Sequence, residues 1–225
     1  MFMTILAIEF SSPQRSVAIV RGGAGPGASA ISEAVETGAD GTGAFGLIQS
    51  ALREAGLERG QVETLAVGLG PGSYTGIRVA LAIAQGWQLA SGRGGIKLAG
   101  INSVECLAAQ AQAENIRGRV HVVVDAQRNE FYLATYELLA GGWKEIEPLK
   151  IVPRAAVELA GANGTLIGPE VTRWFPRGRP VYPRAAMLGQ LAWRRNEFAI
   201  GDQLEPIYLR ETNFVKAPPG RRVAG

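Results

Sequence analysis

The sequence predicts an α/β protein with mixed β-sheets, and three observations support this fold class. Short apolar runs rich in β-branched residues alternate with longer runs of helical period. Clusters of Gly, Pro, Asn and Ser separate them, as expected for turns. The element order βββαβ occurs once in each half of the chain, which is typical of a duplicated unit with helices on the faces of a sheet. A chain of 225 residues, 47% of them hydrophobic, is long enough to bury a sizeable core.

The first hundred residues are predicted to fold in the order βββαβαβ. The runs MTILAIEF and RSVAIVRGG indicate a hairpin across SSPQ, and ASAISEAVET a third strand. Helices are predicted at residues 44–56 and 75–90, because apolar residues recur there at helical spacing. The buried strand ETLAVGLG lies between these helices, and IKLAGI follows the second. We therefore expect an amino-terminal subdomain over residues 1–100.

The second half repeats the pattern from residue 101. The helical run SVECLAAQAQAEN is followed by the predicted strands RVHVVVDA, EFYLATYEL and WKEIEPLKIV. A short helix starting at Pro153, the strand GTLIGP and the helix AAMLGQLAWRRNEF complete a carboxy-terminal subdomain over residues 101–205. Residues 206–225 form a Pro/Gly-rich tail, which we expect to pack over the surface and to be disordered in its last few residues.

The loop VGLGPGSYTGIR resembles a phosphate-binding turn, because glycine-rich turns at helix N-termini often bind anions. Neither standard phosphate pattern fits. A Walker loop needs a lysine, and residues 60–96 contain none; the dinucleotide fingerprint needs a third glycine where this chain has Ser73 or Thr75. A tight turn followed by a helix with a Ser or Thr cap accounts for every residue of this loop.

The helix after this loop has almost no polar face. Arg78 is its only charged side chain between residues 75 and 90, and the helix at 44–56 is apolar over a wide arc. Two adjacent helices of this kind predict a helix-on-helix interface with another chain. The alternative is that they cover each other under the carboxy-terminal segment. The predicted partner-facing residues are Phe45, Ile48, Leu52, Gly76, Arg78, Ala80, Ile83 and Trp87.

Acidic residues end the first strand of each unit. Glu9 is followed by Ser11 and Ser12, and Asp125 is in the matching position of the second unit. Actin-like and sugar-kinase-like ATPases place a metal-linked carboxylate and a phosphate-binding turn there. However, the turn AQRN after Asp125 lacks glycine, and the segment LIGPEV has a single glycine followed by proline. These four residues are therefore candidates for a vestigial nucleotide loop, with no cofactor predicted.

A run of arginines without an acidic residue spans residues 171–196. Arg173, Arg177 and Arg179 are its candidates for contact with a nucleic acid, because such a run can neutralise phosphates. The alternative is an ordinary solvated face. The net charge of the whole chain is only +3.

The numbers of cysteine and histidine residues and the hydropathy of the chain argue against disulfides, metal sites, a catalytic triad and membrane spans. The single cysteine, Cys106, excludes an internal disulfide and fits a reducing, cytoplasmic location. It lies in a helical pattern typical of a core thiol. The single histidine, His121, lies in an apolar strand, so no metal site or Ser-His-Asp triad is predicted. No stretch approaches the roughly 18 uncharged apolar residues of a membrane span.

Four motifs resemble the TsaB (YeaZ) family in order and spacing. They are ILAIEFSS, GLGPGSYTGIRVALAIAQG, VDAQRNEFYLATYE and PIYLRE, and the most specific is the stretch from Gly70 to Arg78. The resemblance covers nearly the whole chain. It implies the actin-like ATPase (ASKHA) fold of two ribonuclease-H-like subdomains, each with a mixed five-stranded sheet and helices. The family usually has Asp-Thr where this chain has Glu9 and Phe10, which weakens any nucleotide role for that loop.

The resemblance implies a non-catalytic scaffold or activating subunit. Such proteins support the formation of threonylcarbamoyladenosine next to the anticodon of tRNAs that read codons beginning with A. A paralogue, TsaD, carries out the transfer and has the His-x-x-x-His metal site that this chain lacks; TsaE, a small ATPase, joins the pair. Carried over to this sequence, the helices at 44–56 and 75–90 would contact the paralogue, or a second copy of the chain when it is alone. The tRNA would be bound indirectly, through the complex.

Two hypotheses of different class follow. For the scaffold, we expect Ala80→Glu or Ile83→Asp to abolish association while the isolated chain stays folded. The alternative is an active ATP-dependent phosphotransferase or ATPase of the actin-like fold that uses Glu9 and Asp125. ATP binding and turnover by the purified chain would distinguish the two.

Overall fold

The computed structural model describes residues 3–22, 27–38, 43–92, 95–199 and 203–210. The strands are β1 (Met3–Glu9), β2 (Gln14–Gly22), β3 (Ala28–Thr37), β4 (Thr64–Gly68), β5 (Lys97–Ile101), β6 (Gly118–Asp125), β7 (Glu130–Leu139), β8 (Gly142–Pro153), β9 (Thr165–Gly168) and β10 (Arg179–Pro180). The helices are α1 (Ala44–Glu54), α2 (Tyr74–Ala90), α3 (Ser103–Ala113), α4 (Arg154–Gly161) and α5 (Ala185–Arg195). Single-turn 3₁₀ segments lie at Arg59–Gln61 and Val171–Arg173.

The strands form two mixed five-stranded sheets of the same topology, as predicted. The first has the order β3-β2-β1-β4-β5, and the second the order β10-β9-β6-β7-β8. In each, the first strand pairs antiparallel with the second and parallel with the fourth. The two-residue strand β10 was not predicted, because its arginine- and proline-rich run carries no strand pattern.

The first sheet is covered by helices on both faces. Successive side chains of a strand point to opposite faces. On β1, Leu6 and Ile8 therefore join the core under α1 and α2, whereas Ile5 and Ala7 join the core under α3 and α5. Burial on both faces explains why β1 is a nearly continuous apolar run.

Helix α3 lies between the two sheets and serves both cores. Cys106 and Ala109 pack against the first sheet, and Val104 and Leu107 pack against the second. The Cys106 thiol is fully buried, and burial, the largest cause, raises its pKa well above the ordinary value. A buried thiol with a raised pKa behaves as a small core residue rather than a nucleophile.

Helix α5 packs across the first sheet, although the predicted boundaries place it with residues 101–205. Gly189 allows this approach, because a Cβ at that position would contact the side chains of Val20 and Ala7. Arg184, at the start of α5, forms an ion pair with Glu33 on β3 at 2.7 Å. The boundaries themselves remain a prediction. The part of the predicted tail beyond residue 210 lies outside the described residues.

Two glycines of α2 provide a test of how closely α2 packs on the end of β1. A Cβ on Gly76 would overlap the backbone carbonyl oxygen of Phe10, whereas a Cβ on Gly86 would meet nothing within 4 Å. We expect Gly76→Ala to lower the free energy of unfolding by about 2 kcal/mol through forced displacement of the helix. Gly86→Ala should raise it by about 0.5–1 kcal/mol through better helix propensity. Urea unfolding measures both, and equal effects would contradict the close approach of α2 to β1.

Candidate functional site

An open apolar groove of about 1330 Å³ lies between α1 and α2. Phe45 on α1, and Ile83 and Trp87 on α2, line its walls, and the start of β4 closes one end. Phe45 exposes 69% of its surface, although Ala44 and Ile48 on the same helix are buried. The two helices therefore do not cover each other, contrary to the alternative considered from the sequence.

The predicted partner-facing residues divide into two groups. Ile48, Leu52, Gly76 and Ala80 are buried in the chain's own core, so their placement on a surface was wrong. The small residues of this stripe bring α2 close to β1 and not close to another chain. Phe45 and Arg78 are exposed, and Ile83 and Trp87 are half-buried in the groove wall.

Helix α2 has an exposed stripe of which the sequence analysis predicted only Arg78. It contains Tyr74, Arg78, Ala82, Gly86 and Leu89, of which Leu89 exposes 83% of its surface. Residues spaced by three and four share one face of a helix, so the position of Arg78 could have located this stripe. Apart from that arginine it presents aromatic, small and aliphatic residues, which is unusual for a face in contact with water.

Glu9 is fully buried at the end of β1 and acts as a structural acceptor. Its Oε1 accepts a hydrogen bond from the Ser11 backbone N–H at 2.7 Å, and its Oε2 accepts one from the Ser103 hydroxyl at 2.8 Å. The same hydroxyl accepts a bond from the N–H of Gly70, at 3.1 Å. The carboxylate thereby links the first hairpin, the glycine loop and the start of α3.

Burial raises the pKa of Glu9, while the hydrogen bonds from Ser11 and Ser103 act in the opposite direction. Gly68, the last residue of β4, is required beside it, because a Cβ there would overlap the carboxylate. With both oxygens bonded inside the chain, Glu9 faces its own loop and not an open cleft. The neighbouring Ser12 hydroxyl likewise donates to the Gln14 carbonyl at 2.7 Å.

Asp125 stabilises its own turn. Its Oδ1 accepts from the Gln127 N–H at 2.8 Å, and its Oδ2 accepts from the Gln127 side-chain amide at 3.2 Å. Gln127, Arg128 and Asn129 all have positive φ angles, between 59° and 65°. The turn thus adopts left-handed backbone without the glycines that usually provide it.

The arginines of 171–196 do not form one basic surface. Arg184 and Arg195 are ion-paired with Glu33 and Glu105, which other parts of the chain supply. The three candidates for tRNA contact, Arg173, Arg177 and Arg179, are all exposed. Arg173 also lies over the ring of its neighbour Trp174 and 3.9 Å from the Glu170 carboxylate. The sequence of the run could not indicate that Glu33 and Glu105 are ion-pair partners, because both residues are distant from it in the chain.

His121 is buried in β6, and its Nδ1 lies 3.0 Å from the Thr135 hydroxyl. Burial, the largest cause, lowers the pKa of His121. Within the described ranges, no three His, Cys, Asp or Glu side chains cluster as metal ligands. Among the helices in those ranges, none is long and apolar enough to cross a membrane.

The segment 203–210, which includes the first residues of the predicted tail, joins the two units. Leu204 is buried in the core of the first sheet, and the Ile207 N–H donates to the Leu69 carbonyl at 2.9 Å. At its end, Arg210 donates to the Ala126 carbonyl at 2.9 Å and pairs with Glu130 at 2.7 Å. Residues of the PIYLRE motif thereby connect the glycine loop with the β6–β7 turn.

Comparison with known proteins identifies the family. A family model described as "TsaD: tRNA N6-adenosine threonylcarbamoyltransferase" matches residues 44–170. The tRNA threonylcarbamoyladenosine biosynthesis protein TsaB of Escherichia coli is 29% identical over 78% of this chain and 82% of its own length. The chain belongs to the TsaB/YeaZ family. TsaB of Haemophilus influenzae is 28% identical over 97% of this chain and 98% of its own length.

The solved structures agree with this family. YeaZ from Pseudomonas aeruginosa superposes with a TM-score of 0.73 at 27% identity, covering 92% of this chain and all of that one. The predicted actin-like α/β fold with two ribonuclease-H-like units is thereby confirmed. The family match begins at α1 and includes β4 and β5 of the first sheet and β6 to β9 of the second.

Proposed function

We propose that this chain is a non-catalytic subunit in the cytoplasmic synthesis of threonylcarbamoyladenosine in tRNA. It pairs with a TsaD-like paralogue that performs the transfer, and a TsaE-like ATPase joins the pair. Its curated relatives are named as threonylcarbamoyladenosine biosynthesis proteins, and the family match extends over both units. The role of the chain is to hold and activate the catalytic subunit.

The observation that carries the proposal is the groove between α1 and α2. Phe45 and Leu89 are exposed on these two helices, and the groove between them is lined by Ile83 and Trp87. An exposed apolar surface of this kind is typical of an interaction site. Stable protein pairs bury about 1,600 Å² in total, which is about 800 Å² on each partner, so the proposed contact would have to extend over both helices.

The arrangement of the acidic residues supports a non-catalytic role. Both oxygens of Glu9 bind groups of the chain itself, and Asp125 is bonded to its own turn. An ATPase needs a carboxylate free to position a metal-bound phosphate. These two side chains instead accept hydrogen bonds from groups of the chain itself.

Reconstitution tests the proposal. The full chain is combined with the TsaD-like and TsaE-like proteins of its own organism, ATP, a source of threonylcarbamoyl-adenylate and unmodified tRNA, and the modified nucleoside is measured by mass spectrometry. We expect no modification when the chain is omitted and no ATP hydrolysis by the chain alone. Full modification without the chain would contradict the proposal. ATP turnover by the isolated chain that is lost in Glu9→Gln would instead support the phosphotransferase alternative.

A further inference from the structure

The segment 203–210 presents an aromatic surface beside the start of α2. The rings of Tyr208 and Tyr74 lie 5.8 Å apart between centroids, with an interplanar angle of 31°, and 44% and 54% of their surfaces are exposed. The Arg78 guanidinium lies over the ring of Tyr74, 4.1 Å from the ring centroid. Leu209, also exposed, extends the patch along the segment. We call these four residues the Tyr208 patch.

The backbone beneath the patch is fixed. The Ile207 N–H is bonded to Leu69 on one side, and Arg210 is bonded to Ala126 and Glu130 on the other. A surface that is already ordered loses little conformational entropy when a partner binds to it. The patch is therefore preorganised, although its side chains are exposed.

The composition and charge of the patch indicate a protein partner with carboxylates. Tyrosine and arginine are enriched among the residues that dominate binding energy at interfaces. Within the part of the chain that the structure describes, Arg78 contacts Tyr74 but forms no ion pair. A carboxylate placed beside Arg78 would complete a charge-assisted contact on a largely apolar surface.

The patch is continuous with the α1–α2 groove. Ala82, which lines the groove, is one turn along α2 from Arg78, and both are exposed. One partner can therefore cover both surfaces without a gap. We propose that the Tyr208 patch is a second contact for the paralogous subunit, made by an apolar, carboxylate-bearing face next to the element that fills the groove. This proposal rests on the proposed function.

Binding of the purified paralogue to the full-length chain, measured by titration calorimetry, tests the proposal. We expect Tyr208→Ser to weaken binding at least tenfold, and Arg78→Gln to weaken it about tenfold at low salt while flattening its dependence on NaCl. Arg210→Ala should weaken binding less, because it only loosens the backbone under the patch. Leu139→Ser is the matched control: this leucine exposes 54% of its surface, against 44% for Tyr208, but it lies at the end of β7, and binding should stay unchanged.

The outcomes separate the two proposals. Wild-type affinity in both Tyr208→Ser and Arg78→Gln, together with lost binding in the groove variant Ala82→Arg, would overturn the patch and leave the proposed function standing. Absence of any binding by the wild-type chain would overturn both. If Tyr208→Ser instead weakened self-association or tRNA binding and left the affinity for the paralogue unchanged, the assigned occupant would be wrong. Thermal melting of Tyr208→Ser, Arg78→Gln and Ala82→Arg alone should match the wild type, since these side chains are exposed, whereas Arg210→Ala should melt slightly lower because it loses its bonds to Ala126 and Glu130.

Discussion

Replacing Ala82 with arginine is expected to abolish pairing with the paralogous subunit while this chain stays folded. Ala82 is exposed on α2 and lines the groove, so an arginine there would project into the space that the partner fills. A bulky charge trapped in an apolar interface costs about 3 kcal/mol or more, which corresponds to at least a hundredfold in Kd. In the isolated chain the same substitution is a surface change on a helix, within about 0.5 kcal/mol of neutral.

Ala80→Glu is the matched contrast, two residues away on the same helix. Ala80 is fully buried against the first sheet, so a glutamate there brings both extra volume and an unpaired charge into the core. We expect a loss of more than about 4 kcal/mol in the free energy of unfolding. The expectation from sequence that Ala80→Glu would leave the chain folded assumed a surface position, whereas Ala80 is buried. Ile83→Asp would not separate folding from association, because Ile83 packs on the core and also lines the groove.

Two measurements separate these effects. Urea unfolding of the isolated variants gives their stabilities, and pull-down of the paralogue gives association. Normal pairing by a folded Ala82→Arg chain would exclude the groove as the docking site. An Ala80→Glu chain as stable as the wild type would show that α2 does not pack on the sheet as described.

The fold could be predicted because its signals are local. The runs that became β1, β2, β6 and β7 are apolar and β-branched, and turn residues separate them. The repeated order βββαβ then left few topologies with buried helices on a mixed sheet. The exception, β10, pairs over two residues only, so its formation depends on the neighbouring strand rather than on its own sequence.

The docking surface could be assigned to two helices but not to their outward residues. Helix α2 has no charged side chain besides Arg78 and few polar ones, so periodicity does not distinguish the face toward the sheet from the face toward a partner. The structure makes this distinction through Gly76, which approaches the Phe10 carbonyl. The position of Arg78 was the only local signal for the exposed stripe, because a charged side chain on such a helix belongs at its surface.

Contacts between residues that are distant in the chain could not be predicted from the sequence. Ser103 donates to Glu9 across 94 residues, and Arg184 pairs with Glu33 across 151. No pattern in a single sequence encodes such pairs, since each depends on how the sheets and helices are assembled. For the same reason the carboxylate at the end of β1 resembled an ATPase residue until its hydrogen-bond donors were known.

Glu9→Ala is expected to lower the free energy of unfolding by about 2–4 kcal/mol at neutral pH. The change leaves the Ser11 N–H and the Ser103 hydroxyl without their acceptor in a buried site, and it opens a cavity beside Gly68. Glu9→Gln keeps the volume and one acceptor, so it should cost much less. Urea unfolding at pH 7 ranks the two variants, and equal stabilities of Glu9→Ala and the wild type would contradict a structural role.

The pH dependence of stability tests the same carboxyl group through its protonation. Burial holds the pKa of Glu9 above its ordinary value of 4.5, so at pH values between the two the folded chain retains a proton that the unfolded chain has released. The contribution of Glu9 to the free energy of unfolding therefore falls as pH rises from about 4.5 to the folded pKa, and it is constant above that pKa. Glu9→Gln cannot titrate, so its stability relative to the wild type should rise through this window and then level off. A difference that stays flat from pH 4 to pH 8 would mean that Glu9 is ionised at its ordinary pKa, and that the bonds from Ser11 and Ser103 fully offset its burial.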